Sequence, residues 1–226
     1  MLKRKISVSI EGLIGSGKST LLNKLRSLNN DDKKIFLGEP IQDFQSCTML
    51  NKEFNPLKEF YNDERRNATA FQFWVNKCFD KQLLDLSKVT TTDSTIVFDR
   101  SMYSSVVFIK TLNRKKIFSD FTENFLENEV LSTVKNYFGG EEKFGIDKLY
   151  FLNTPIHTCI EQISKRDRYE ENDIRDLERY LMILDVEYKL FVYDFIQKKG
   201  IDKVRIFYHP NMDIVVKDFE NFMKDN

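Results

Sequence analysis

Residues 6 to 10 alternate β-branched side chains with serine, Ile6-Ser7-Val8-Ser9-Ile10, and stop at Glu11-Gly12. That pattern predicts a β-strand closed by a glycine turn. Leu21, Leu22, Leu25 and Leu28 follow at helical spacing, so a helix is expected from Lys18 to the polar stop Asn29-Asn30-Asp31-Asp32. A second short strand spans Ile35 to Leu37. Between Leu57 and Val89, Phe60, Ala68, Phe71, Trp74, Val75, Phe79, Leu83 and Leu86 recur at mostly helical steps, which fits one long helix or two shorter ones. A strand at Thr95 to Phe98 and a helix at Tyr103 to Leu112 come next. Phe118, Phe121, Phe125 and Leu126 predict another helix, with an aromatic stripe belonging to the core or to an interface. The buried run Leu149-Tyr150-Phe151-Leu152 reads as a fourth strand, Pro155 as the start of a helix over Ile156 to Lys165, and Asp173 to Lys199 as a long helix stopped by Gly200. Val204 to Phe207 is a fifth strand. Strands alternating with helices predict an α/β fold, a five-stranded parallel sheet flanked by helices on both faces, with ligands beyond the carboxyl ends of the strands.

The 226 residues read as one domain, 1–226, without repeat or linker. Lys plus Arg and Asp plus Glu balance at 35 each. The basic footprint of a nucleic-acid or anionic-membrane binder is therefore missing, and a small partner is expected. No apolar run approaches the ~18 residues of a membrane span. The basic start Met1 to Lys5 has no apolar stretch after it, and Cys47, Cys78 and Cys159 lack Cys-x-x-Cys spacing, so a cytoplasmic protein with buried thiols is expected. With only His157 and His209 in the chain, acid–base work near neutral pH falls to carboxylates.

The chemistry concentrates at strand ends. Gly12-Leu13-Ile14-Gly15-Ser16-Gly17-Lys18-Ser19 fits the pattern Gly-x-x-x-x-Gly-Lys-Ser/Thr between a strand and a helix, the context of a P-loop. Its backbone N–H groups close around phosphate oxygens, Lys18 reaches the outer phosphates, and Ser19 is placed to hold Mg²⁺ of a nucleoside triphosphate, with Thr20 following on the helix. Glu39-Pro40 follows the second strand, where a carboxylate either faces the cleft or is a surface-loop glutamate. Asp99-Arg100-Ser101 follows the third. There Asp99 either reaches Mg²⁺ or caps a helix, and Arg100 either clamps the transferring group or orients Glu39. Arg166-Asp167-Arg168-Tyr169-Glu170-Glu171 lies between two helices, as a lid carrying arginines onto a triphosphate would, or as a solvated turn.

Together, Ile10-Glu11-Gly12 entering the P-loop, Glu39-Pro40, Phe71-Gln72, Asp99-Arg100-Ser101 with Tyr103-Ser104, and the segment Arg166 to Glu171 resemble the deoxyribonucleoside kinase family. The resemblance runs from about residue 6 to residue 200. It implies transfer of the γ-phosphoryl of ATP to the 5′-hydroxyl of a deoxynucleoside, a homodimer, feedback by a deoxynucleoside triphosphate, and a helical lid at about 162–172. It also implies that Glu39 is the base, that Arg100 holds the 5′ end, and that Arg166 and Arg168 meet the donor. Tyr61 and Glu171 then match the pair that binds the 3′-hydroxyl, and Gln72 the amide that reads the base, with Phe71 stacking beside it. Departures from the family pattern include Asp99 in place of the usual glutamate, Phe44 for a tryptophan, Ile109 for a phenylalanine, and Gln162 for an arginine. Phe79 and Ser105 stand where deoxycytidine- and purine-preferring members carry an arginine and an aspartate. With Val75 they resemble the thymidine-accepting branch, although Phe79 is bulky enough to narrow the pocket instead.

Two other readings compete. Thymidylate kinases share a Glu-Pro and an Asp-Arg at these strand ends, but an arginine precedes their Glu-Pro, where this chain has Gly38. A kinase-like structural subunit is the other, and such a chain would have lost Lys18, Glu39 or Arg100.

Overall fold

The computed structural model describes residues 2–49, 51–139, 144–166 and 177–224. Five strands form one sheet: β1 (Ile6–Gly12), β2 (Lys34–Leu37), β5 (Thr95–Asp99), β6 (Lys148–Leu152) and β7 (Val204–Phe207), in the order β2-β5-β1-β6-β7. Every pairing is parallel, with Ile10 opposite Asp99 on one side of β1 and opposite Tyr150 on the other. This is the expected α/β sheet.

The helices divide between the two faces. Val8, Ile10, Val97, Tyr150 and Leu152 turn toward α1 (Lys18–Leu28) and α9 (Met212–Lys224), where Leu21, Leu22, Leu25, Val215, Val216 and Phe219 complete a compact core. Each such buried aliphatic contributes about 1.5–3 kcal/mol. The opposite face packs a larger core through α4 (Glu64–Val89), α5 (Ser104–Arg114), α6 (Asp120–Phe138), α7 (Ile156–Arg166) and α8 (Leu177–Lys199).

The expected elements are present among the described residues, with differences of detail, and the start of the helix expected over Asp173 to Lys199, residues 173–176, lies outside them. The stretch from 57 to 89 is two helices, α3 (Pro56–Asn62) and α4, because Asp63 leaves helical geometry and its side chain caps α4 through Arg66 N–H. The aromatic stripe near 120 splits. Phe118 precedes α6 and is buried with Leu126, whereas Phe121 and Phe125 are exposed. The expected lid at 162–172 begins as the last turn of α7, and its remainder from residue 167 lies outside the described residues. Further elements are α2 (Ile41–Gln45), the hairpin β3 (Cys47–Met49) with β4 (Lys52–Phe54), and α9. In α9 the signal was present, since Val215, Val216, Phe219 and Phe222 recur at helical steps. Among the described residues no helix is long and apolar enough to cross a membrane.

Candidate active site

The loop between β1 and α1 is built by backbone geometry. Gly15 holds φ +79°, and a Cβ there would meet the Cys159 carbonyl oxygen at 2.4 Å, so glycine is required on two counts. Gly17 enters α1 in the left-handed region and supplies no side-chain cap, and the first turn of α1 carries no acidic residue. By contrast α3, α4 and α6 are capped by Asn55, Asp63 and Ser119. The orphan N–H groups and positive dipole end of α1 are thus left to an anion.

Lys18 is buried in this loop, with Nζ donating to the carbonyls of Leu13 at 2.7 Å and Gly12 at 3.2 Å. Its pKa falls from 10.5 to about 7, mainly through burial and secondly through the Arg100 charge, while Asp99 and Glu39 act to raise it. Ser19 Oγ donates to Asp99 Oδ2 at 2.5 Å, and Asp99 Oδ1 is buried without a hydrogen-bond partner among the described residues. A hydroxyl touching a carboxylate that keeps one oxygen unspent is a donor set that fits Mg²⁺.

A cleft opens beside the loop. Gly15, Lys18, Ser19, Glu39, Phe44, Tyr61, Phe71, Gln72, Val75, Phe79, Arg100, Ser105 and Arg166 all line it, so residues far apart in sequence converge there. Gly12, Ser16, Gly17 and Thr20 form the loop and first turn behind that wall. Arg168 and Glu171 lie outside the described residues. Ile109 is the exception. It is fully buried in the core one turn beyond Ser105 on α5, and Phe108 occupies the wall in its place.

The two ends of the cleft differ in character. Its charged lining residues, Glu39, Arg100 and Arg166, all act on the Lys18 charge and so gather at the loop end. Glu39 is held there by the segment after β2, whose Gly38 carbonyl accepts from Gln82 Nε2 at 2.8 Å. Its Oε1 stands 3.4 Å from Arg100 Nε. The far end is aromatic. Phe71 stacks on Phe60 at 4.7 Å between ring centres and meets Phe44 edge-on at 6.4 Å, and Phe44 in turn meets Phe79 at 5.9 Å. Phe44 is positioned because α2 is tied to α4 by Trp74 Nε1 donating to the Asp43 carbonyl at 2.9 Å. Within this apolar cage Gln72 Oε1 and Ser105 Oγ are buried without a partner among the described residues. Buried polar atoms left unmatched are costly, so a ligand edge with complementary groups is favoured there.

Several wall residues carry no motif: Ile41, Leu57, Phe60, Phe108 and Tyr180. For Phe60 only apolar periodicity was legible, and periodicity does not distinguish a core residue from a cleft residue. Burial holds the Tyr180 hydroxyl well above its ordinary pKa, so it remains protonated.

The family model described as deoxynucleoside kinase matches residues 8–225. A probable deoxycytidine kinase of fowlpox virus is 27% identical over 178 residues, covering 77% of this chain and 67% of the relative. Human deoxycytidine kinase is 28% identical over 184 residues, covering 74% and 68%, and human mitochondrial thymidine kinase 2 is 26% identical over 173 residues, covering 76% and 59%. Among solved structures, deoxyadenosine kinase from M. mycoides with bound dCTP superposes with a TM-score of 0.72 at 19% identity, covering 98% of this chain and 100% of that one.

Proposed function

Because the chain belongs to the deoxynucleoside kinase family and is thereby an ATP-dependent deoxynucleoside kinase, we propose that its acceptor is thymidine or a broader range of pyrimidine deoxynucleosides, phosphorylated at the 5′-hydroxyl in nucleotide salvage. The observation that carries this reading is the neutral, aromatic far end of the cleft, where Gln72 Oε1 and Ser105 Oγ are the unmatched polar atoms. An amide presents one donor and one acceptor side by side, which pairs with the N3–H and O4 of thymine. Val75 and Phe79 form an apolar wall suited to a 5-methyl group, and no described residue there charge-pairs with a base. Deoxycytidine, named in the fowlpox and human relatives, would use the same amide turned over, and it is the second reading.

In the proposed reaction the loop and the uncapped end of α1 hold the donor phosphates, Lys18 turns its ammonium onto the outer ones, and Arg166 neutralises them from α7. Ser19 and Asp99 would hold Mg²⁺, which would supply positive charge to offset that of the phosphates. Glu39 orients the 5′-hydroxyl and takes its proton, and Arg100 holds both Glu39 and the 5′ end. In a loose transition state the hydroxyl needs little activation, so a carboxylate can take the proton late. Arg168 completes the donor side from the lid, Tyr61 and Glu171 bind the 3′-hydroxyl, and Ile109 supports the base wall from behind. We read residues 1–226 as one such domain, acting in the cytoplasm as a homodimer under feedback by a deoxynucleoside triphosphate. The three cysteines, free and buried, suit a reducing compartment.

The test is phosphoryl transfer from ATP–Mg²⁺ to thymidine, deoxycytidine, deoxyadenosine, deoxyguanosine and thymidine monophosphate, with Glu39→Gln as control and light scattering for the dimer. Thymidine leading with a dead control is expected. A purine or deoxycytidine leading would refute the pocket reading, and turnover of the monophosphate alone would mean that the acceptor is a nucleotide.

A further inference from the structure

Strand β1 alternates, and its second face is unusual. Val8 and Ile10 point into an apolar core, whereas Ser9 and Glu11 point to the other side and are fully buried. Glu11 is saturated there. Its Oε1 accepts from Ser9 Oγ at 2.6 Å, Ser101 N–H at 2.9 Å, Ser101 Oγ at 3.0 Å and Ser104 Oγ at 2.7 Å. Its Oε2 accepts from Ser104 Oγ at 2.7 Å and from the Tyr188 hydroxyl at 3.4 Å. Ser104 opens α5, so the carboxylate also lies over the positive end of that helix.

This buried anion reaches the cleft through Arg100. The guanidinium Nη1 donates to the Tyr188 oxygen, whose hydroxyl turns on to Glu11, and its Nε faces Glu39 at 3.4 Å. The Arg100 guanidinium packs over the Phe108 ring at 4.9 Å and the Tyr188 ring at 5.6 Å. Its backbone is held at φ +68°, a conformation that non-glycine residues seldom adopt. The neighbouring Ser101 N–H is anchored on Glu11, and Arg100 N–H donates to the Ile10 carbonyl at 3.2 Å. One carboxylate thus pins both the turn that carries Arg100 and, through a tyrosine hydroxyl, its guanidinium.

We propose that Glu11 and Tyr188 are positioning residues that lock Arg100 against Glu39, so that the arginine meets the acceptor hydroxyl and the transferring phosphoryl without having to be ordered during turnover. The kinetic part of this proposal rests on the reaction proposed above, and the structural part does not. Neither residue touches the reacting atoms. Preorganised charge is effective because its ordering cost has been met in folding.

The structural part is tested in the full-length protein labelled with ¹⁵N-arginine. The wild type should show a slowly exchanging guanidinium signal that disappears in Arg100→Gly, which assigns it, and that broadens or is lost in Tyr188→Phe. Tyr188→Phe keeps the ring packing, and so reports on the hydroxyl even where Glu11→Gln fails to fold. A sharp, unchanged Arg100 signal in Tyr188→Phe would overturn the proposal. The kinetic part predicts that Tyr188→Phe lowers kcat about tenfold, the worth of one hydrogen bond to a charged group, with donor KM changed less than about twofold. In an Arg100→Gly background the same substitution should cost less than about twofold, because its effect runs through the arginine. Equal losses in both backgrounds would overturn it. An enzyme that phosphorylates no deoxynucleoside would refute the proposed reaction, and the arginine signal alone would then decide the positioning role.

Discussion

Under the proposed function, the loop end and the aromatic end of the cleft recognise their ligands by different physics. At the loop end backbone N–H donors and one helix dipole come from a stretch of eight residues, Gly12 to Ser19, shaped by its glycines, and the charges of Lys18, Arg100 and Arg166 join them. At the aromatic end the binding groups are side chains from α2, α3, α4, α5 and α8, brought together by packing. Backbone recognition is indifferent to most side chains and intolerant of a lost glycine. Side-chain recognition can be retuned one position at a time, which suits a family whose relatives carry names for deoxycytidine, thymidine and deoxyadenosine.

The contrast can be broken most severely at Lys18. Lys18→Ala should lower kcat by about 10³-fold or more whatever the acceptor, since it removes charge stabilisation common to every substrate. Next in size, Gln72→Leu should cut kcat/KM for the preferred nucleoside about 10²-fold through lost base pairing, and steady-state kinetics should show donor KM unmoved. If donor KM rose with it, the two ends would not be separable.

Gly15→Ala sharpens the contrast from the other side. It should raise donor KM about tenfold and lower the melting temperature by a few degrees, from about 1–2 kcal/mol of left-handed backbone strain plus the clash with the Cys159 carbonyl. Acceptor KM should stay where it is.

The smallest effect is a proton. Lys18 has a pKa of about 7 in the free protein, so at pH 8 it is mostly neutral, and phosphate oxygens arriving beside it raise that value again. Donor binding at pH 8 should therefore take up close to one proton, read by calorimetry in buffers of different ionisation enthalpy. Uptake should vanish near pH 5.5, where Lys18 is already charged, and in Lys18→Arg at either pH. The same sign holds for folding. A lysine whose pKa is lowered on folding costs stability in full below pH 7, and the cost fades as pH rises toward 10.5, where the unfolded chain also loses its proton.

Periodicity and one contiguous motif make much of the molecule legible in its amino-acid sequence. The five strands, the helices on both faces and the loop are readable there because each is encoded by neighbours in the chain, at spacings of two, three or four residues, or by glycines that only one backbone path satisfies. Glu39 and Arg100 are legible for a related reason: a parallel sheet places the residues after its strands at one edge. Phe60 is not, because an apolar side chain at helical spacing looks the same in a core as on a cleft wall. Ile109 shows the converse, one helical turn too deep to reach the ligand space.

Glu11 marks the boundary most clearly. In the sequence it is the residue before a glycine. Only the pairing of β1 with β5, the turn at Arg100 and the packing of α8 bring Ser101, Ser104 and Tyr188 onto its two oxygens. The sequence by itself determined the order of the five sheet strands and the glycine loop after β1, since both follow from local conformational preference. The aromatic end of the cleft, proposed as the acceptor pocket, and the buried carboxylate behind Arg100 were decided by the tertiary structure, because their chemistry comes from desolvation and from partners up to 177 residues apart.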